Sequence, residues 1–452
     1  MTHAVSRRHA LVVTVAALVA RLGIVAWAAK AIPPTADGTY YHMLAQRIAS
    51  GQGYTWLWPD GVVTHAAHYP VGYPGLLAAA YAVLGATPVV AMLANAVLGA
   101  AGAWAAHDLL RRATSPRLAL LGGLAVALHP ALVPYTAALM TEGVTAALTV
   151  LAVAFAARAR DAERGRPAFA WLAACAVVMG AATLVRPQAI ILAPVVGWLA
   201  AGTGATTKAR FVRAVTTTLL ALAVCAPWTA RNCVRMQQCA LVSVNGGWNL
   251  AIGTQTMGGG WQEMVVPEAC KEVFAEAAKD DCFGREARRV ILADPGAWLA
   301  RVPAKLRVTF DYFGAAPWYL HAANPEAFPY RAKLWLGAFE TLVSRLLLVA
   351  ALVSVRKLEG PNRLLREAVT GFGLLACFLV AGALGYVACG LAVLLLGRRE
   401  LERQPVVVPA SAVVVLATAV MHSVFFGAGR YGLMVVPFVA VLAFVRPLRT
   451  AP

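Results

Sequence analysis

Apolar residues run along the chain in blocks separated by short connections that carry arginine. The blocks at 10–30, 88–110, 118–134, 138–157, 168–185, 188–203, 211–228, 333–355, 405–427 and 431–446 are each long enough to cross a hydrocarbon core of roughly 30 Å as a helix. The block at 367–397 is too long for one span and has Gly382 and Gly385 near its middle, which predicts a tight hairpin of two short helices. The sum is an all-α polytopic membrane protein of about twelve spans. Arg21 interrupts the first block and no small-residue cleavage site follows it, so that block is expected to stay as an anchor.

Two stretches break the rhythm and are large enough to build a site: 31–87 and 229–332. They divide the chain into an N-terminal membrane module (1–228, with the outer loop 31–87), an outer loop domain of roughly 100 residues (229–332), and a C-terminal membrane module (333–452). In the first loop Asp37 follows Pro33 and Pro34. It can serve as N-cap of an amphipathic helix over 39–49 that stops at Gly51. The apolar run 71–86 is short and opens on Gly72-Tyr73-Pro74-Gly75, which fits an interfacial helix; one more crossing there would invert every later loop.

Composition agrees with this pattern. Of 452 residues 60% are hydrophobic and 13% charged, and mean hydropathy is +0.67. A soluble domain is about a quarter charged, so an ordinary soluble enzyme, a disordered chain and a fibrous repeat are all excluded. The net charge of +18 comes from basic residues standing singly or in pairs between apolar blocks, so it reads as a topology signal and not as nucleic-acid binding. With Arg7 and Arg8 on the cytoplasmic side, alternate connections carry about half of the 39 Lys and Arg. That puts both termini on the cytoplasmic side of an inner (cytoplasmic) membrane, with the candidate site facing outward. Arg186 and Arg430 then stand at short outer turns, against the positive-inside preference, which marks them as functional candidates.

The cysteines support the same orientation. Cys175, Cys225, Cys377 and Cys389 lie in spans, whereas Cys233, Cys239, Cys270 and Cys282 all lie in the long outer loop. Four cysteines in an oxidising compartment allow three pairings, of which Cys233–Cys239 with Cys270–Cys282 is the local one. Metal binding is the alternative, and the spacing is not C-x2-C.

Glu142 falls in the first turn of the fourth span on the outer side, where a carboxylate is costly unless paired or open to water; a dipole-favoured first-turn Glu is the bland reading. Asp37 and Glu142, with Arg186, Arg231 and Arg430 at outer helix ends, make a constellation of acid, base and anion clamp. It suits group transfer from a phosphorylated donor. Outside the cytoplasm that donor would be a membrane-embedded lipid phosphate. His42, His65 and His68 are candidate metal ligands. Gly246-Gly247 and Gly258-Gly259-Gly260 read as turns, since no G-x-x-x-x-G-K-[ST] exists. Arg345, mid-span, could line a lipid groove or form a buried pair with Glu340.

In ordered pieces along nearly the whole chain, the sequence resembles the polytopic lipid-dependent glycosyltransferases of the GT-C fold, in particular the bacterial protein-mannosyltransferase-like and aminoarabinose-transferase-like group (glycosyltransferase families 39 and 83). The pieces are Arg21; Asp37-Gly38-Thr39-Tyr40-Tyr41-His42 with Ala45; Gly51-Gln52-Gly53-Tyr54; and Tyr69-Pro70-Val71-Gly72-Tyr73-Pro74-Gly75. They continue with Thr141-Glu142, Arg186-Pro187, Pro227-Trp228, Arg231-Asn232, Gly247-Trp248-Asn249-Leu250 with Gly253, and Arg430-Tyr431. The resemblance implies that Asp37 is the catalytic base, although the acidic pair common at this point is here Asp37-Gly38. It implies that His68 stands where relatives carry a basic residue for the lipid phosphate. His68 would bind best when protonated, so activity is expected to fall as pH rises through about 6.5.

The function so implied is an inverting glycosyltransferase, moving a sugar from a polyprenyl-phosphate donor to a hydroxyl or amine on a lipid, glycan or protein acceptor at the outer face. Asp37 would be the base, Glu142 would position the acceptor or a cation, and His68, Arg186, Arg231 and Arg430 would hold phosphate. Tyr40, Tyr69, Tyr73, Trp248, Asn249 and Tyr431 would contact sugar or lipid, with Trp261 and Trp318 in the covering loop. No cofactor is required; a divalent cation is the one candidate. Two other readings stand beside it. A lipid-sugar carrier or flippase would show related halves and midplane polar residues, and the sequence has no internal repeat and few polar residues at mid-membrane. A polymerase or ligase using a diphosphate-linked glycan would share the outer arginines without needing the Asp37 motif.

Overall fold

The computed structural model describes residues 3–446 except 163, 164 and 380. Among the described residues seven helices are long and apolar enough to cross a membrane: Val5–Ala31, Pro88–Leu110, Thr141–Asp161, Arg166–Val185, Thr207–Arg235, Tyr330–Arg356 and Val407–Val424. The predicted hairpin at 367–397 is present as the antiparallel helices Arg363–Phe378 and Gly382–Leu394. Gly373 and Gly385 let them touch, since a methyl group on Gly373 would meet the Ala388 side chain at 2.9 Å.

Three expected spans are broken. The block 118–134 is a helix only over Pro116–Ala127; the chain then passes Pro130 and enters a 3-10 turn at Pro134–Ala137. The block 188–203 is a 3-10 turn, Pro187–Leu192, followed by Ala193–Leu199. The block 431–446 splits into Gly429–Gly432 and Val436–Phe444. Prolines lack the N–H a helix interior needs. Burial explains the apolar character of the last piece, where every residue from Val436 to Ala443 is buried; the other two pieces still bare Leu121, Leu128 and Ile191, at 52%, 52% and 51% exposure. Hydropathy reports removal from water, and it does not separate a lipid-facing helix from one packed inside the bundle. Genuinely lipid-facing helices instead leave large apolar side chains bare, such as Leu11 and Leu219, at 64% and 60% exposure.

One face of the bundle carries both described ends of the chain. His9 lies against His107 with ring centroids 6.5 Å apart, and the Arg446 N–H donates to the Ala113 carbonyl (3.4 Å). The opposite face carries the two large outer segments. In the first, the helices Asp37–Ala49 and Gly72–Leu84 flank a hairpin, Thr55–Leu57 with Val63–His65. This hairpin is absent from the sequence reading, although Pro59-Asp60-Gly61 between apolar runs is a turn signal. Gly51 ends the first of these helices with φ of 77°.

The second segment starts later than its expected boundary because the helix Thr207–Arg235 continues past Trp228. It then forms Gly246–Gln255, Glu276–Ala293, Pro295–Ala300, Val302–Phe310 and Ala315–Ala323. Cys233 is bonded to Cys239 and Cys270 to Cys282. Gly246 and Gly247 are not a turn but the first turn of a helix. Gly247 is required there because any side-chain carbon would overlap the Asp280 carbonyl of the helix Glu276–Ala293.

That close approach generates a stability prediction. Gly247→Val forces the two helices apart and is expected to cost about 1–3 kcal/mol, as overpacking does, whereas Gly246→Val, which faces open space, is tolerated better; thermal melting of the two purified variants measures the difference.

Candidate active site

The first span ends at Ala31, and the chain turns through Pro33 and Pro34 into the helix Asp37–Ala49. Asp37 is in the first turn of that helix and makes no capping bond. The cap reading therefore fails: its carboxylate is taken by two side chains from elsewhere. Arg430 Nη1 reaches Asp37 Oδ2 at 2.7 Å, and the Tyr69 hydroxyl donates to Asp37 Oδ1 at 3.2 Å.

Burial alone would push the Asp37 carboxyl up, but the Arg430 guanidinium and the Tyr69 hydroxyl outweigh it and hold it below its ordinary range. Asp37 is thus ionised at neutral pH. The stabilisation it lends to the fold is present above about pH 4 and lost as pH falls through its lowered pKa.

Glu142 begins the helix Thr141–Asp161 on the same face. Its side chain is only 2% exposed and has three partners. Oε1 accepts from Arg186 Nη1 at 2.8 Å and lies 3.4 Å from Arg430 Nε. Oε2 accepts from the Tyr135 hydroxyl at 2.8 Å. Arg186 also donates to the Thr141 hydroxyl (3.0 Å). It stands just past the helix Arg166–Val185 with extended backbone, the conformation imposed on a residue before proline. Arg430 therefore bridges a partly exposed and a buried carboxylate. Both guanidinium groups lie over the Tyr431 ring, 4.9 and 5.2 Å from its centroid, and the opposite contact of that ring is His422, stacked at 4.2 Å.

Glycine makes the Arg430 turn possible. In Gly427-Ala428-Gly429-Arg430-Tyr431-Gly432 a side chain on any of the three glycines would overlap the backbone of Lys305, Thr309, Tyr312 or Phe313. The Gly427 N–H donates to the Gly259 carbonyl (2.8 Å), and Gly260 bridges to Gly427. The Gly258–Gly260 run is thus a seat for this turn. Gly38 has a similar cause. A methyl group there would come within 2.6 Å of the Tyr319 hydroxyl, which accepts N–H bonds from Thr35 (3.2 Å) and Leu139 (3.3 Å). A second acidic residue beside Asp37 has no room.

The other candidates divide. Tyr69 joins the site and stacks on Tyr40, which is 47% exposed, at 5.3 Å between centroids. His68 stands edge-on to Tyr69 and Trp248. Burial lowers its pKa below 6.5 despite the opposing pull of Glu276, Asp280 and Asp37. His68 is therefore neutral at neutral pH, and the expected loss of activity near 6.5 moves to lower pH. Trp248 packs on Phe283, and its N–H donates to Asp280 Oδ1 (2.7 Å); Asn249 follows it in the helix Gly246–Gln255.

Two expectations are corrected. Arg231 does not join the cluster: its guanidinium donates to the carbonyls of Ala66 (2.8 Å) and Tyr54 (2.9 Å) and lies over Trp228, bracing the hairpin. Tyr73 is fully buried, with its hydroxyl on Asn95 Oδ1 (3.0 Å), so it is a packing residue. The sequence reading also missed Tyr135, Tyr319 and Glu276. Glu276 accepts from Trp56 Nε1 and the Ala67 N–H, both at 2.9 Å, and so ties the two outer segments together. None of the three falls within a quoted motif, and a lone residue leaves no local signal.

Arg345 does not pair with Glu340; it donates to the carbonyls of Cys377 and Asp311. A divalent cation does not suit the donors present. Among the described residues no three His, Cys, Asp or Glu converge. His42 is bonded to the Tyr81 hydroxyl (2.7 Å) and His65 sits on the hairpin, and the place between Asp37 and Glu142 is held by Arg430.

With this geometry established, comparison with known proteins gives three findings. Residues 68–230 match the family described as dolichyl-phosphate-mannose-protein mannosyltransferase. That stretch holds His68, Tyr69, Glu142 and Arg186 but neither Asp37 nor Arg430. Among curated protein sequences none matches the chain.

Among solved structures, the oligosaccharyltransferase of Archaeoglobus fulgidus in the apo form superposes with a TM-score of 0.51 at 13% identity, over 97% of this chain and 50% of that one. Its complex with Zn and sulfate gives 0.50 at 13% identity, over 97% and 48%. ArnT from Cupriavidus metallidurans in the apo state gives 0.41 at 18% identity, over 95% and 76%. The chain spans about half the length of the archaeal enzymes. It has the GT-C fold of polytopic membrane enzymes.

The ion cluster predicts an asymmetry. Arg186→Gln strands part of a buried charge and is expected to cost about 3–5 kcal/mol, whereas Asp37→Asn, at a partly exposed position, costs less than about 1 kcal/mol; denaturation of both variants in one detergent compares them.

Proposed function

We propose that the chain is an inverting glycosyltransferase that moves a sugar from a polyprenyl-phosphate-linked donor to a hydroxyl or amine acceptor at the outer face of the membrane. One observation carries this reading. Two carboxylates and two arginines from four separated segments meet at one end of the bundle, with Asp37 reachable from solvent (side chain 31% exposed) and Glu142 sealed (2%). A base must reach its proton donor, so Asp37 takes that role. Glu142 is a positioning residue that holds Arg186 and Arg430. The family description of the matched segment 68–230 supports a lipid-phosphate donor.

In the reaction the acceptor O–H or N–H gives its proton to Asp37 as its heteroatom attacks the anomeric carbon. The bond from that carbon to the phosphate oxygen breaks, its electron pair staying on the phosphate. Arg430, freed from Asp37 as the carboxylate accepts the proton, and Arg186 stabilise the leaving phosphate. Such a group leaves readily, so charge stabilisation matters more than a general acid. Tyr40, Tyr69, Trp248 and Tyr431 offer ring faces for sugar or prenyl chain.

The site faces outward in this proposal, with both termini on the cytoplasmic side of the inner membrane. Support comes from the two disulfides in the segments at the site's end of the bundle.

Two experiments test the assignment on membranes given labelled polyprenyl-phosphate sugars and native acceptor extract. Asp37→Asn is expected to lower turnover by about 10²–10³ while donor is still bound; turnover equal to wild type refutes the base assignment. Arg430→Gln removes the charge that lowers the Asp37 pKa, so the acid limb of the pH–rate profile should move to higher pH. A limb that stays where it is shows that Asp37 is not the group titrating.

A further inference from the structure

The face that carries both described ends of the chain holds a polar cavity, remote from the Asp37 cluster. It has a volume of about 370 Å3 and is lined by four arginines from four different segments: Arg112, Arg160, Arg403 and Arg446. Asp161 is the one carboxylate in the lining. Leu109, Ala157, Leu358, Val406, Val407 and Val445 form an apolar wall. The volume falls in the range of small-molecule sites.

Helix capping accounts for part of this charge. Arg112 pairs with Asp108 (2.8 Å) and Asp161 (2.6 Å), and Arg160 donates to the Gln404 and Glu402 carbonyls, both at 2.8 Å. It does not account for the other two. The nearest carboxylate to Arg403 is Glu400 at 3.7 Å, and the Arg403 side chain is 74% exposed. Arg446 makes its bonds to Ser354, Ala443 and Val445 through Nη1 alone. Its Nε and Nη2 have no partner among the described residues. Two guanidinium groups with spare donors, beside an apolar wall at the end of membrane helices, fit a phosphate ester that can be gripped bidentately. An anionic headgroup at a helix end meets the same need.

We propose that this cavity is a binding site for a phosphate-bearing anion, held by Arg403 and Arg446 with Arg112 and Arg160 as fixed positive charge. The source is an anionic phospholipid headgroup or free phosphate. The site is separate from the transferase chemistry and does not rest on it.

The test uses the purified full chain and two probes. Phosphatidylglycerol adducts are counted by native mass spectrometry against phosphatidylcholine, and inorganic phosphate is titrated in a thermal melt. With Arg403→Gln and Arg446→Gln combined, binding should weaken about 25-fold, a factor of about five for each removed arginine. Asp161→Asn, which removes the one lining acid, should strengthen it severalfold. This single exchange at an exposed side chain decides the matter should the double variant not fold. Adducts specific to phosphatidylglycerol identify the lipid source. A melt shift from phosphate without adducts identifies the soluble one. Adducts and melts that are the same in wild type, double variant and Asp161→Asn overturn the proposal.

Discussion

Everything at the site's end of the bundle depends on one buried charge. Glu142 is sealed inside the protein, and an uncompensated carboxylate there would cost several kcal/mol. The structure answers with Arg186, Arg430 and the Tyr135 hydroxyl. Because Arg430 is drawn to Glu142, its other guanidinium nitrogen is delivered to Asp37. The partly exposed carboxylate is thereby held ionised by a group whose position is set by the sealed one. Arg186, Arg430 and Tyr431 form a single stack, so neither arginine can move without disturbing the other.

Such a cluster demands close contact between segments remote in sequence, and glycine supplies it. Gly427, Gly429 and Gly432 lie directly on the backbone of residues 305–313. Gly38 leaves room for Tyr319, which accepts from the chain on both sides of the site. The two outer segments are then locked by Glu276 and Arg231, each bonding across to the hairpin strands or their flanks. Fixed charges of this kind suit the transferase chemistry proposed above.

Much of this was legible beforehand. Hydropathy blocks of about 20 residues identified a polytopic membrane fold, and the charge bias singled out Arg186 and Arg430. The ordered short motifs led to Asp37 and Glu142. Hydropathy blocks do not show where a helix breaks, so 118–134, 188–203 and 431–446 read as spans although all three are broken, and the last is also packed inside. Arg231 and Tyr73 were misplaced for a related reason. A residue type near a motif says what it can bind, and only the fold says what it does bind; backbone carbonyls claimed one and Asn95 the other.

The sequence by itself determined the solvent of this protein. Apolar length, few charges and the sidedness of arginine and cysteine require a membrane whatever the details of packing. The tertiary structure decided which of its ionisable groups meet. Asp37 and Arg430 are separated by nearly the whole chain, and their 2.7 Å contact is specified by steric fit among glycine-lined turns. A pairing of that kind leaves no periodic or local trace in the residues that make it.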